Sequence, residues 1–203
     1  MNKKKKFVAD NYVKEKLTFK TGREMLFAFF ITAISGLVFG LPFYLLWSER
    51  VQDTFNNTEA VDLQTRLIAV GIFLGIIVMG LIVHELIHGF FFAIFSKDKF
   101  KSIKFGLVLK KGYAYCKCKE VLPTNQYVVG LLMPLIILGI IPSIISLFIG
   151  SSDFLLFGVI FTGAAGSDIL VFKKLAKNMK GTWLEEDLAN DEIMHLYKPI
   201  KLK

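Results

Sequence analysis

Apolar positions along this chain fall in long unbroken runs rather than at the spacing of elements that bury a single face. Residues 25–47, MLFAFFITAISGLVFGLPFYLLW, carry no charged side chain. At about 1.5 Å of rise per residue they reach across a hydrocarbon core about 30 Å thick. Residues 67–95, LIAVGIFLGIIVMGLIVHELIHGFFFAIF, exceed a minimal span, so this helix is expected to tilt or to project from one face. A third run covers 127–149 and contains Pro134 and Pro142. The fourth, 153–172, is short and is bounded by Asp153 and by Lys173 and Lys174. The pattern predicts a membrane protein, mostly α, with four transmembrane helices.

The connection over 96–126 is patterned too. FKSIKFGLVL and YAYCKCKEVL are β-rich and flank the turn-like KKG of residues 110–112, which predicts a β-hairpin at about 100–122, between the second and third spans. The organisation expected is a basic tail over 1–24, a four-span domain over 25–172 and a C-terminal tail over 173–203. That last tail is polar and mixed, with room for a short helix.

Composition agrees with lipid as the solvent, since 54% of the 203 residues are hydrophobic. MNKKKK is followed by a mixed stretch, so no cleavable signal peptide is expected and the first run stays as an anchor. The net charge of +8 is distributed by side of the membrane. Lys3 to Lys6, Lys14, Lys16, Lys20 and Arg23 precede the first run, whereas the next loop has Arg50 and Arg66 against four acids. Loop 96–126 then holds eight lysines, loop 150–152 none, and KKLAKNMK follows the fourth run. The positive-inside rule places both termini and the hairpin in the cytoplasm of a multi-pass cell-membrane protein. The lysines are read as a solvated or lipid-facing set, and no nucleic-acid partner is expected. Cys116 and Cys118, two apart in a reducing compartment, are read as free thiols.

Against this background the stretch GLIVHELIHGFF, residues 80–91, stands out. Residues four apart lie on one helix face, so His84 and His88 can aim ring nitrogens at one ion, and Zn2+ suits such a pair. Glu85, one position on, is near enough to act as general base toward a water at that site. An ionisable group deep in a spanning helix costs about 2.5–3.5 kcal/mol on insertion scales, so three together call for a partner, a cavity or a metal. The bland alternative is a polar patch used in helix contacts.

A catalytic zinc site normally takes three protein ligands. Away from the run boundaries, the acids in the apolar runs are Glu85 and Asp168. In the predicted topology Asp168 and the histidines share the inner membrane level. Small residues, Gly163 to Gly166 on one span and Gly71, Gly75 and Gly80 on the other, offer close helix approach. Asp168 is favoured as third ligand over a boundary carboxylate near Lys173. His195, in the C-terminal tail, is read as a surface histidine.

HELIH in a spanning helix, a β-rich inner loop, a proline-bearing third span and an aspartate in a small-residue fourth span resemble the site-2 protease class of intramembrane zinc metalloproteases. More closely, the order HELIH, YAYCKCKEVLP, LLMPLIILGIIP, GAAGSDIL resembles a bacterial family of zincin membrane peptidases of largely unassigned function, over roughly residues 70–200. The resemblance implies zinc on His84, His88 and Asp168, Glu85 activating water, and a membrane protein or peptide as substrate. It departs from site-2 proteases where Met133, not asparagine, precedes Pro134, and where the aspartate sits in Gly-Ser-Asp-Ile. The asparagine's role is not transferred to Asn125.

The leading expectation is a zinc endopeptidase acting at or within the cytoplasmic side of the membrane. Two others stand beside it. One is a membrane zincin whose third ligand is Glu120, Glu185, Glu186 or Glu192. The other is a non-catalytic zinc-binding adaptor or transporter, although the outer halves of the spans hold few of the polar groups that transport favours.

Overall fold

The computed structural model describes residues 11–18, 21–59, 61–108, 113–190 and 193–200. The Lys3 to Lys6 run, the KKG turn and Glu192 lie outside these. In chain order the elements are β1 (Tyr12–Thr18), α1 (Thr21–Glu59), α2 (Leu63–Phe95), a 3-10 turn (Lys99–Ser102), β2 (Ile103–Val108), β3 (Tyr113–Cys118) and β4 (Leu122–Pro123). There follow α3 (Thr124–Pro134), a π-helical segment (Leu135–Ile140), α4 (Ile141–Ile149), α5 (Ser152–Ala164), α6 (Gly166–Leu175), β5 (Trp183–Glu186) and β6 (Ile193–Pro199). Backbone contacts divide the chain into two units. One comprises Met1–Met25, Glu85–Met133 and Ser167–Lys203, the other Leu26–His84 and Pro134–Gly166.

The second of these is helical. Met25–Thr54, Leu63–Phe95 and Thr124–Ile149 are each long and apolar enough to cross a membrane. Leu37, Leu41 and Leu45 on α1, and Ile72, Leu74 and Val78 on α2, are all more than half exposed. Helices satisfy their own backbone groups, so a lipid-facing segment can carry such a surface without an apolar partner in the protein.

The predicted fourth span differs from expectation. It is a pair of helices, Ser152–Ala164 and Gly166–Asn178, bent by 46°, and counts as a fourth crossing only if the pair is one span. The small residues explain the bend. A Cβ on Gly163 would lie 3.0 Å from the Cβ of Thr32, and one on Gly166 would lie 2.7 Å from the Cα of Ala28. The chain turns at a segment whose glycines lie against α1. Gly80 is likewise packed by Phe161, while Gly71 and Gly75 face open space.

The end of α4 is closed by α1. Gly150 takes a left-handed conformation, φ 66°, and its N–H bonds the Ser146 carbonyl at 2.8 Å. The last turn of a helix leaves carbonyls without intrahelical donors. Here Trp47 Nε1 donates to Leu147 O at 3.0 Å, and Arg50 donates to Ile149 O at 3.1 Å. Trp47 itself leaves helical geometry, at φ −129° and ψ 29°.

The first unit contains an antiparallel sheet in the order β1-β6-β5-β4. Both stretches read as tails contribute to it: β1 comes from the basic N-terminal segment, and β5 and β6 replace the short helix allowed for the C-terminal one. The register sets Leu122 opposite Leu184 and Leu184 opposite Leu196, all at most 1% exposed. This leucine row joins Phe92, Tyr127, Leu131, Val171 and Leu175 in one core. The expected hairpin is present as β2 and β3, pairing Ile103 with Cys118 and Phe105 with Cys116. The Glu120 carboxylate anchors its base, accepting from the backbone N–H of Lys97 at 3.2 Å and Asp98 at 3.0 Å and from the Ser102 hydroxyl.

Candidate metal centre

The division of the chain passes through α2 between His84 and Glu85, so one unbroken helix carries the whole motif. His84 and His88 are buried, each 6% exposed, and Glu85 is half-buried. Gly89 follows, and the hairpin uses the space its missing side chain leaves: Phe105 packs against it, with Cys116 beside.

His88 is the most constrained member. Its Nδ1 lies 3.0 Å from the Gly130 carbonyl oxygen on α3. A carbonyl only accepts, so Nδ1 carries the proton and, in the neutral ring, Nε2 carries the lone pair. The ring stacks on Phe92, with centroids 5.9 Å apart and planes 10° apart, and Phe92 stacks in turn on Tyr127 at 4.9 Å. Nε2 faces Asp168 Oδ2 at 3.5 Å.

Asp168 enters from the first turn of α6, just after the bend, and is buried. His84, His88 and Asp168 each offer one ligand atom, and these lie within 4.8 Å of one another. The donor set fits zinc. Two atoms bound at about 2.0–2.2 Å with a tetrahedral angle between them stand about 3.3–3.5 Å apart, the His88 to Asp168 separation. A lone pair and a carboxylate facing each other in a buried site also call for a cation between them, and the hydrogen bond behind His88 is the outer support that metal-binding histidines usually have.

Among the described residues, the glutamates weighed as alternative ligands, Glu120, Glu185 and Glu186, are engaged elsewhere. Glu120 holds the hairpin base, Glu185 accepts from Tyr197 Oη at 2.6 Å, and Glu186 accepts from Tyr127 Oη at 2.9 Å and from the Cys118 amide. Burial pushes the Glu186 carboxyl up to about 7, against the lowering effect of those two hydrogen bonds. His195 lies half-buried on β6, 3.6 Å from Asp187. Cys116 and Cys118 are free thiols, both pushed up by burial, and Cys118 Sγ lies 3.3 Å from the Ser96 hydroxyl. Sequence reasoning missed the Gly130 carbonyl, which as a backbone group has no residue-type signature, and the aromatic column behind His88.

A helical chain with three to four membrane-length apolar helices and a His-Glu-x-x-His helix facing an aspartate defines the general class, a membrane-type protein with a zincin-like candidate centre. Residues 77–183 match the model of the family described as "Putative zincin peptidase", and the chain belongs to that family. The matched region takes in both histidines, Glu85, the hairpin and Asp168. No curated protein and no solved structure matches the chain.

Proposed function

We propose that this protein is an integral membrane zinc metallopeptidase that hydrolyses a peptide bond at or within the cytoplasmic side of the membrane. The observation that carries the reading is the convergence of His84, His88 and Asp168 beside Glu85. His84, His88 and Asp168 would hold the ion. Zinc bound there would polarise the scissile carbonyl and make water a stronger acid. Glu85 takes the proton from the attacking water and returns it to the leaving amine nitrogen. The Gly130 carbonyl keeps the His88 ring from turning, and the aromatic column behind it keeps water from that side.

The hairpin supports an extended substrate. It packs at Gly89, directly after His88, and among the described residues β2 and β3 pair only with each other as strands. A peptide added along such an edge is extended, with its scissile bond accessible, which a helical substrate's is not.

Four crossings follow best from the sheet. β1 precedes α1, β4 lies between α2 and α3, and β5 and β6 follow α6, yet all hydrogen-bond into one sheet, which supports putting them on one side of the membrane. On that reading the chain crosses an even number of times between β4 and β5. This supports reading the bent α5 and α6 pair as a crossing alongside the α3 to α4 span. The lysine bias supports a cytoplasmic sheet.

The test is hydrolysis of transmembrane peptides by the purified protein in lipid vesicles. Cleavage that stops with a zinc chelator, returns with zinc and falls about 10²–10⁴-fold in Glu85→Gln is expected. Glu85→Gln that binds zinc and cleaves as the parent does would overturn the mechanism.

A further inference from the structure

We infer that Gly130 and Pro134 together form a seat that fixes His88 with its proton on Nδ1 and its Nε2 turned to Asp168. In a regular α-helix the carbonyl of residue i accepts from the N–H of residue i+4. For Gly130 that position is 134, and proline has no N–H to give. The Gly130 carbonyl accepts instead from His88 Nδ1 at 3.0 Å. The proline thus frees an acceptor inside an otherwise helical segment, and a buried acceptor selects the tautomer that can donate to it.

Gly130 contributes in a second way. For its carbonyl to reach the imidazole, the backbone of α3 must come close to α2. A Cβ at this position would lie 2.6 Å from Cδ1 and Cε1 of Phe92. Phe92 cannot easily yield, because it is 2% exposed and stacked between His88 and Tyr127. A side chain at 130 would shift the carbonyl or the ring it holds. Pro134 supplies the acceptor and Gly130 admits it. Both are positioning residues, acting through His88 and touching no reacting atom.

The inference rests on the proposed metal site for one of its two readouts only. The first is the tautomer of His88 in metal-free protein, read by long-range ¹⁵N–¹H NMR of imidazole-labelled protein in micelles. The second is zinc affinity by competition with a chromophoric chelator. Expected is an Nδ1–H tautomer in the parent, moved toward Nε2–H in Pro134→Ala, where the restored amide reclaims the carbonyl, and in Gly130→Ala. Zinc binding should weaken about 10–100-fold in both, with Pro142→Ala, the other proline of the span, unchanged. A parent that shows the tautomer shift on Pro134→Ala but binds no zinc supports the seat and removes the metal reading. A parent His88 with its proton on Nε2 overturns the seat, whatever the variants' folding. So does a Pro134→Ala protein with unchanged tautomer and zinc affinity within roughly twofold.

Discussion

Tyr127 donates its hydroxyl to Glu186 at 2.9 Å, and so the helix that holds His88 from behind is tied to strand β5. The same carboxylate accepts from the Cys118 amide at the end of β3, so one buried acid joins helix, hairpin and sheet. Its burial raises it from 4.5 to about 7. The folded protein therefore holds this proton over a range where the unfolded chain has lost it. The stability this gives is complete below about 4.5, declines as pH rises and is gone above about 7. Its size is on the order of 3 kcal/mol at most. Thermal unfolding in detergent across that interval should show a declining stability that Glu186→Gln flattens. An unchanged slope in the variant would show that another group sets it.

Asp168→Asn keeps the shape of the side chain and removes the charge facing His88 Nε2. Zinc affinity should fall at least about tenfold, while Glu120→Gln and Glu185→Gln leave it unaltered. Metal content after dialysis against a graded chelator separates these outcomes, and the reverse ranking would transfer the third ligand to a glutamate.

Helix packing gives an internal contrast between glycines. Gly163→Val drives a side chain into Thr32 and should cost about 1–3 kcal/mol, whereas Gly71→Val, in open space, should cost little. Unfolding by increasing mole fraction of a denaturing detergent compares the two.

Sidedness can be read with single cysteines in a cysteine-free background. Labels at Val13 and Leu188, both exposed, should react from the same face, and one at Asn56 from the other. The native Cys116 and Cys118 should label slowly at neutral pH, because burial disfavours their thiolates.

The HELIH helix and its aspartate were legible because the chemistry needs particular residue types and lipid makes those types conspicuous. The hairpin was legible because its strands are neighbours in sequence. The four-stranded sheet was not. YVKEKLT reads as one more part of a lysine-rich tail, and its partner over Ile193–Pro199 lies at the far end of the chain, beyond the reach of any local pattern. The bend at Ala165 was hidden for a related reason: Gly163 and Gly166 signalled a close approach, but not that α1 would be the neighbour or that the chain would turn there. Glu186, one of the glutamates weighed as a third ligand, gave no sign in the sequence that the sheet would carry it beneath Tyr127.

The pairing of β6 with both β1 and β5 also bears on how the protein is made. Leu196, on one of the two inner strands, joins Leu184 and Leu122 in the core only when the segment after α6 reaches the sheet that β1 and β4 also enter. A chain in which that segment fails to arrive leaves those leucines bare and the sheet without β5 and β6. The sheet therefore closes only once the two ends of the chain have come together.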